Sequence, residues 1–350
     1  MKAVILAGGE GTRLRPLTYN TPKVLIPLLN RPLLSLQLDL LRNHGVKDIV
    51  LSVGRTLGEI RRVFGAGEEW GVKIQYALEK EPLGTGGGIR NASPFLDELT
   101  IVFNGDVVTD FNLKQIIQYH RKKRARATIV LVPVADPTTY GLVIADRDGR
   151  IRRFLEKPGW GEVIGNTISA GIYILGKDLI HQIPPGVNYS VERQFFPSLL
   201  AQDIPFYGYE AEGYWLDVGT NERYLQVHKD FLQGNIKIDI PGEKIGGIWR
   251  GEGCEIDPHA HLSGPTLIGN FCQIEAGAII SHFTVLGPGC QIKKGAYIEQ
   301  SVFGEGVVLE EGAHIQNSIV GKKCRVGAYA HLGDGNVLGE FSQIGPYSQL

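Results

Sequence analysis

The chain has 350 residues, enough for two domains at roughly 100–200 residues each. Apolar residues make up 43% and charged residues 21%, which excludes a disordered chain and a coiled coil. Lys plus Arg number 36 and Asp plus Glu 37, so a net charge of −1 gives no electrostatic footprint for a nucleic acid.

The elements begin with Lys2–Leu6, an apolar run that ends in glycines and predicts a first strand. It is too short for a signal peptide, and no apolar stretch approaches the roughly 18 residues of a membrane span. The expectation is a cytoplasmic protein with no membrane partner. Leu33–Asn43 is apolar at helical spacing, with Gly45 placed to cap it. Strand Asp48–Val53, helix Leu57–Phe64 and strand Lys73–Leu78 follow. Then come strand Leu99–Phe103, helix Leu113–Lys123 and strand Ala127–Val134. This alternation predicts an α/β domain, Rossmann-like, with a mostly parallel sheet. Leu142–Ala145, Ile151–Leu155 and Ile168–Leu175 follow with few helices between them, which makes the sheet mixed. Asn221–Leu232 reads as a closing helix. The basic run from Arg121 to Arg126 suits the last turn of a surface helix, where cations meet the helix dipole.

Near residue 234 the pattern changes. Residues 234–247 carry linker chemistry around Pro241-Gly242. Beyond them lies an internal repeat of six. From Ile256 it runs through Leu262, Ile268, Ile274, Ile280, Leu286, Ile292 and Ile298. A step of five reaches Phe303, sixes reach Leu309 and Ile315, and a second five reaches Val320. Sixes then continue through Val326, Leu332, Leu338 and Ile344 to Leu350. Two residues before each apolar position stands a column of mostly small residues. One short strand and a turn fit six residues, and three such units make a triangular coil. This resembles the hexapeptide-repeat β-helix, whose known members are left-handed. All four cysteines, Cys254, Cys272, Cys290 and Cys324, fall in the small column and read as buried packing residues, with no CxxC pair. The predicted domains are 1–233, a linker 234–247, and a β-helix 248–350.

Glycine is the compositional outlier: 46 residues, about 13% against a usual value near 7%. Of these, 20 lie beyond residue 240, where a solenoid needs corners. The chemically pointed ones follow the first strand. Leu6-Ala7-Gly8-Gly9-Glu10-Gly11-Thr12-Arg13-Leu14-Arg15-Pro16-Leu17-Thr18 is followed by Pro22-Lys23. Three glycines in four positions let backbone N–H groups approach an anion, and Arg13 and Lys23 add cations suited to a polyphosphate. Leu14 stands where a dinucleotide fingerprint needs its third glycine, and no Gly-Lys-Ser/Thr makes a Walker loop.

The combination Gly-Gly-x-Gly-Thr-Arg-Leu-x-Pro-Leu-Thr with Pro-Lys resembles the sugar-nucleotide pyrophosphorylases, the NDP-sugar nucleotidyltransferases. Several members of that family carry a hexapeptide domain behind the catalytic one, and the chain looks most like the bacterial mannose-1-phosphate guanylyltransferases. The resemblance implies a nucleotide site of Leu6, Gly8, Gly9, Gly11, Thr12, Gly84, Thr85 and Gly105. It implies metal ligands Asp106, in Asn104-Gly105-Asp106, and Asp217, in Trp215-Leu216-Asp217. It places the sugar phosphate on Gly141, Glu156, Lys157, Asn166 and Ser169. Arg13, Lys23 and Lys157 are the implied catalytic cations. The usual Asn-Ala-Gly is Ser169-Ala170-Gly171 here, which bears on the choice of sugar.

The implied reaction joins an NTP and a sugar 1-phosphate, with Mg²⁺ as cofactor and no nucleic acid. GTP with mannose 1-phosphate is the leading pair. Glucose 1-phosphate with UTP, dTTP or ATP is one alternative, and a non-catalytic sensor of sugar nucleotides is another. His282, His314 and His331 are candidate bases for an added acyltransferase activity, and turn residues otherwise. The open end of the repeat predicts a homo-oligomer through the β-helix.

Overall fold

A computed structural model describes all residues, Met1–Leu350. The chain divides into two compact units that do not follow the predicted boundary. The first comprises Met1–Gly9 and Leu34–Trp215; the second comprises Glu10–Leu33 and Leu216–Leu350.

The first unit is built on a nine-stranded mixed sheet. Its elements in chain order are β1 (Lys2–Leu6), α1 (Leu33–Asn43), β2 (Asp48–Val53), α2 (Leu57–Phe64), β3 (Lys73–Leu78), α3 (Gly84–Ala92) and β4 (Leu99–Asn104). Then come α4 (Leu113–Lys122), β5 (Ala127–Pro133), β6 (Gly141–Ala145), β7 (Ile151–Glu156), β8 (Thr167–Gly176) and β9 (Phe206–Glu210). The strand order is β7-β6-β8-β4-β1-β2-β3, with β5 beside β8 and β9 beside β5. Strands β4, β1, β2 and β3 are mutually parallel. The inner three, β4, β1 and β2, are near-continuous runs of buried, mostly Val, Ile and Leu residues, as a sheet covered on both faces requires, while edge strand β3 buries only Ile74 and Ala77. Strand β8 runs antiparallel to β4, β5 and β6. Its end of the sheet packs on an aromatic cluster of Phe154, Tyr173, Phe195, Phe196 and Phe206. Strand β1 has β2 on one side and β4 on the other, so the carboxyl ends of β1 and β4 mark a topological switch point, where open α/β sheets bind ligands.

Predicted and observed elements agree to a residue or two. Elements the sequence did not show include α3, β9, the helical segment Val191–Ala201, the short helix Lys177–Ile180 and the short strands Val107–Thr109 and Trp215–Asp217. Helix α3 was hidden by its glycines, the poorest helix formers after proline.

The second unit contains α5 (Asn221–Gln233) and the C-terminal repeat. The repeat forms three sheets of seven, six and five short strands, parallel throughout except for the outermost strand of the seven. Each strand pairs with one 18 residues on, as Ile274 does with Ile292. Across the two steps of five the offset is 17, as Val285 pairs with Val302 and Val302 with Ile319. Ile268, Ile280, Leu286, Ile298, Leu309 and Val326 of the apolar column are fully buried in one core. The period and strand order are those of the left-handed hexapeptide β-helix. All four cysteines are free and buried. Each thiol donates to a carbonyl of the next coil, as Cys272 Sγ does to Gly287 O at 3.2 Å and Cys324 Sγ to Gly339 O at 2.9 Å.

Two boundaries need correction. The linker 234–247 is not all linker: Glu243–Ile245 pairs antiparallel with Ile248–Arg250 as the outermost strand of a β-helix sheet. Gly242, at φ 101°, makes the turn into it, and a Cβ there would lie 2.7 Å from Arg250 O. The segment Glu10–Leu33 belongs with α5 and the β-helix rather than with residues 34–215. Tyr224 OH donates to Pro27 O at 2.7 Å, and Asn30 Nδ2 donates to Leu286 O at 2.9 Å. No helix is long and apolar enough to cross a membrane.

Candidate functional site

The predicted residues fall in both units. In the first unit, the carboxyl ends of β1, β2 and β4 come together. Leu6 pairs with Ser52 on one side and Asn104 on the other, Ala7 N donates to Ser52 O, and Gly105 N donates to Leu6 O. Gly8 lies beside the Glu79 carboxylate, which accepts from Ser52 Oγ at 2.7 Å and from Leu83 N at 3.2 Å. A Cβ on Gly8 would stand 3.3 Å from Glu79 Oε1, and one on Gly88 would stand 2.9 Å from it. Gly9 has open space around it, so its backbone is approachable.

The glycines of the Gly84–Gly88 run make close backbone contacts. Gly84 takes φ 68°, with its Cβ position 2.9 Å from Tyr189 O. The Gly86 and Gly87 amides both donate to Tyr189 O, at 2.8 and 3.1 Å. These glycines let α3 lie against the 187–191 segment. Thr85 Oγ1 donates to Glu192 Oε2 at 2.8 Å and accepts from Val191 N at 2.9 Å.

Asp106 sits, half-buried, in the Gly105-Asp106 turn after β4. The turn is clamped by a residue that sequence reasoning missed. Gln37 of α1, 3% exposed, donates from Nε2 to Asn104 O at 2.9 Å and to Val107 O at 2.8 Å, the carbonyls flanking the turn.

Around Glu156 a second polar group collects. Gly141 opens β6 opposite Glu156; a Cβ on it would lie 2.5 Å from Phe154 Cζ and 3.3 Å from Glu156 Oε2. Lys157 is exposed and takes φ 51°, a left-handed conformation uncommon outside glycine, with its N–H on Tyr140 O at 2.9 Å. Burial raises the Glu156 carboxyl above the usual range, and the Glu192 carboxylate adds to this against Lys157 and Arg193. Tyr173 OH donates to Glu192 Oε1 at 3.4 Å, and burial holds that phenol far above its ordinary value. Ser169 lies at the edge of a bulge, pairing with Leu131 while Tyr173 pairs with Ile129, so three residues of β8 oppose one of β5. Gly171, at φ 71°, sits in that bulge, and a Cβ there would strike Asn104 Nδ2 at 2.8 Å. Asn104 Oδ1 is buried with no hydrogen-bond partner, an acceptor left for a ligand hydroxyl. Asn166 is exposed; it borders a separate cavity of about 610 Å³ with Tyr119, Asp146 and Tyr209, on the side of Ala145 rather than Gly141.

In the second unit, Gly11 takes φ 64° and its carbonyl accepts from Thr18 Oγ1 at 2.7 Å. A Cβ on Gly11 would press on Thr18 at 3.1 Å and Lys23 at 3.2 Å, so this loop closes only around glycine. Thr12 and Arg13 follow in a short helical turn anchored by buried Leu14, with both polar side chains exposed. Lys23 starts a similar turn after Pro22. Asp217 Oδ2 pairs with Arg223 Nη1 at 3.0 Å. A Cβ on Gly219 would lie 3.0 Å from both Asp217 Oδ1 and Arg13 Nη2. No group of three or more His, Cys, Asp or Glu is assembled as a metal cage. Asp106 and Asp217 each offer hard carboxylate oxygens, the donor type that Mg²⁺ takes.

Glu79, Gln37 and Glu192 carried no usable signal in the sequence, because each acts on a residue from 27 to 107 positions away. Only Asn104 could have been found, since it opens the Asn-Gly-Asp turn.

The family described as nucleotidyl transferase matches residues 2–234, and a GMPPB C-terminal domain matches residues 252–347. A mannose-1-phosphate guanylyltransferase of Mycobacterium tuberculosis is 38% identical over 76% of this chain and 74% of its own length. A UTP–glucose-1-phosphate uridylyltransferase of Synechocystis is 35% identical over 77% of this chain and 74% of its own. Among solved structures, HddC from Yersinia pseudotuberculosis complexed with GMP-PN is 30% identical, with a TM-score of 0.58 over 66% of this chain and 99% of that one. With the loop, the carboxylates and the β-helix in place, the chain belongs to the nucleotidyl transferase family, among the sugar-1-phosphate nucleotidyltransferases.

Proposed function

We propose that this protein transfers a guanylyl group from GTP to mannose 1-phosphate, giving GDP-mannose and pyrophosphate. The identity to a mannose-1-phosphate guanylyltransferase over three-quarters of both chains carries this reading, with the intact Gly8–Lys23 loop beside it. An oxygen of the sugar phosphate attacks the α-phosphorus; that P–O bond forms as the bond to the β-phosphate oxygen breaks, and pyrophosphate leaves. The attacking group is already an anion, so no serine or cysteine nucleophile is needed. The difficulty is charge, and the protein's part is positioning and neutralisation.

Arg13 and Lys23 neutralise the departing pyrophosphate, and the amides of Gly8, Gly9 and Gly11 receive phosphate oxygens. Lys157 orients the attacking phosphate. Glu156, Asn104 and Ser169 take the sugar hydroxyls. Asp106 and Asp217 hold Mg²⁺, which supplies charge neutralisation at the phosphates when bound. Removing Arg13 or Lys23 lowers kcat by about 10²–10³, the scale of an oxyanion donor. Ser169 is shorter than the usual Asn and offers one hydroxyl, and the likeness to a glucose-1-phosphate uridylyltransferase makes glucose 1-phosphate with UTP the second reading. Self-association through the β-helix belongs to the same proposal: Tyr329 and Tyr347 stack at one corner while 48% and 71% exposed.

The test is a matrix of GTP, UTP, dTTP, ATP and CTP against mannose, glucose, galactose and N-acetylglucosamine 1-phosphates, read by pyrophosphate release. GTP with mannose 1-phosphate is the best pair; its absence from the leading pairs overturns the substrate assignment. Full turnover in Asp106→Ala overturns the assigned role of that carboxylate. A monomer by light scattering removes the oligomer.

A further inference from the structure

In the second unit the phosphate loop is seated on the β-helix, and one contact is unlike ordinary packing. Glu340, on a late coil, has a side chain only 7% exposed. Its Oε1 accepts from Thr21 Oγ1 at 2.6 Å and pairs with Lys322 Nζ at 3.0 Å. Thr21 stands two residues before Lys23, in the stretch that joins Arg13 to it. The neighbouring Gly339 seats the same stretch: a Cβ there would lie 3.1 Å from Pro16 Cβ. Asn221 Nδ2 of α5 donates to Arg15 O at 3.3 Å from another side.

A shielded carboxylate costs free energy unless its bonds are made. A β-helix built from apolar and small columns needs no such group for its own core. Shared between Lys322 of the β-helix and a hydroxyl of the loop, this carboxylate ties the loop to the coil.

We propose that Glu340 is a positioning residue for the phosphate loop, acting through Thr21 to hold Lys23 and Arg13 in register for a nucleoside triphosphate. This rests on the functional reading above. The β-helix then supplies part of the nucleotide site's order, beyond any role in assembly.

The test uses the full-length protein with Glu340→Ala, Glu340→Gln, Thr21→Val and the Thr21/Glu340 double replacement. Loss of one buried charge-assisted bond predicts a fall of about tenfold or more in kcat/KM for the NTP in Glu340→Ala and Thr21→Val. KM for the sugar phosphate shifts less than about twofold, because its groups lie elsewhere, and the double replacement is no worse than the single ones, as coupled partners require. Glu340→Gln keeps an acceptor oxygen for Thr21 and stays within about threefold of the parent. Amide exchange over residues 11–23 speeds up by about tenfold in Glu340→Ala, while exchange over the β-helix does not change. Unchanged NTP kinetics and exchange overturn the proposal. So does an equal loss for both substrates with exchange rising across the β-helix, which marks a purely structural residue. If the parent protein turns over no substrate pair, the functional reading fails, and the exchange measurement alone decides the role of Glu340.

Discussion

Gln37 shows how a single buried amide sets the turn that carries Asp106. Its Nε2 spans the two carbonyls that flank Gly105-Asp106. Gln37→Leu keeps the volume and removes both donors, leaving buried acceptors unpaired at a cost of about 1–3 kcal/mol. The expected outcome is a lower unfolding midpoint and, on the proposed Mg²⁺ role of Asp106, a higher half-saturating Mg²⁺ concentration. Unchanged Mg²⁺ titration with lost stability would assign Gln37 to packing only. Glu156 sets a pH dependence. Its carboxyl is raised by burial and then by Glu192, so the fold disfavours its ionised form. Its contribution to stability is therefore fully present below about pH 4.5 and is lost as pH rises through the raised value. Glu156→Gln raises Tm relative to the parent at pH 7, and the gap closes on acidification. The same variant raises KM for the sugar phosphate and flattens the acid limb of kcat/KM, because the neutral amide no longer titrates. A parent and variant with parallel acid limbs exclude Glu156 as the titrating group.

At the scale of elements, glycines separate into those the packing requires and those it does not. In α3 a Cβ on Gly87 would lie 2.6 Å from Val187 O, a backbone atom that cannot swing away. Alanine gains about 1 kcal/mol of helix propensity there, yet overpacking costs about 1–3 kcal/mol, so Gly87→Ala is destabilising on balance. In α2, Gly58 has nothing within 4 Å, and Gly58→Ala raises stability by about 0.5 kcal/mol. Thermal unfolding of the two variants reads the sign directly. Helix α3 was also the element least legible from sequence. Its residues Gly84-Thr85-Gly86-Gly87-Gly88 carry no helical signal in the sequence, because glycine is a poor helix former, and the helix forms packed against the 187–191 segment. Elements with strong periodicity, such as Leu33–Asn43 and Asp48–Val53, were placed to the residue.

Across the whole molecule the second unit behaves as a stack of coils, each stabilised by its neighbours. A central apolar position is enclosed by coils on both sides, whereas one near the end of the stack is covered less. Ile292 is fully buried and Ile344 only half-buried. Ile292→Ala should lower the denaturation midpoint by the equivalent of about 2–5 kcal/mol, and Ile344→Ala by clearly less. Equal losses would argue that the stack unfolds without regard to position.

The sequence by itself determined the class of fold, the repeat with both of its short steps, the burial of the cysteines, and the loop around Arg13 and Lys23. Those features are written in local periodicity and in contiguous motifs, which need no tertiary information. Tertiary structure decided what is made by contacts across the chain. It sent Glu10–Leu33 to the unit of the β-helix, turned part of the expected linker into a strand, and brought Gln37, Glu79 and Glu192 to the predicted residues. Hydrogen bonds between residues tens or hundreds of positions apart leave no period behind. The link from Thr21 to Glu340, 319 residues on, is the clearest case.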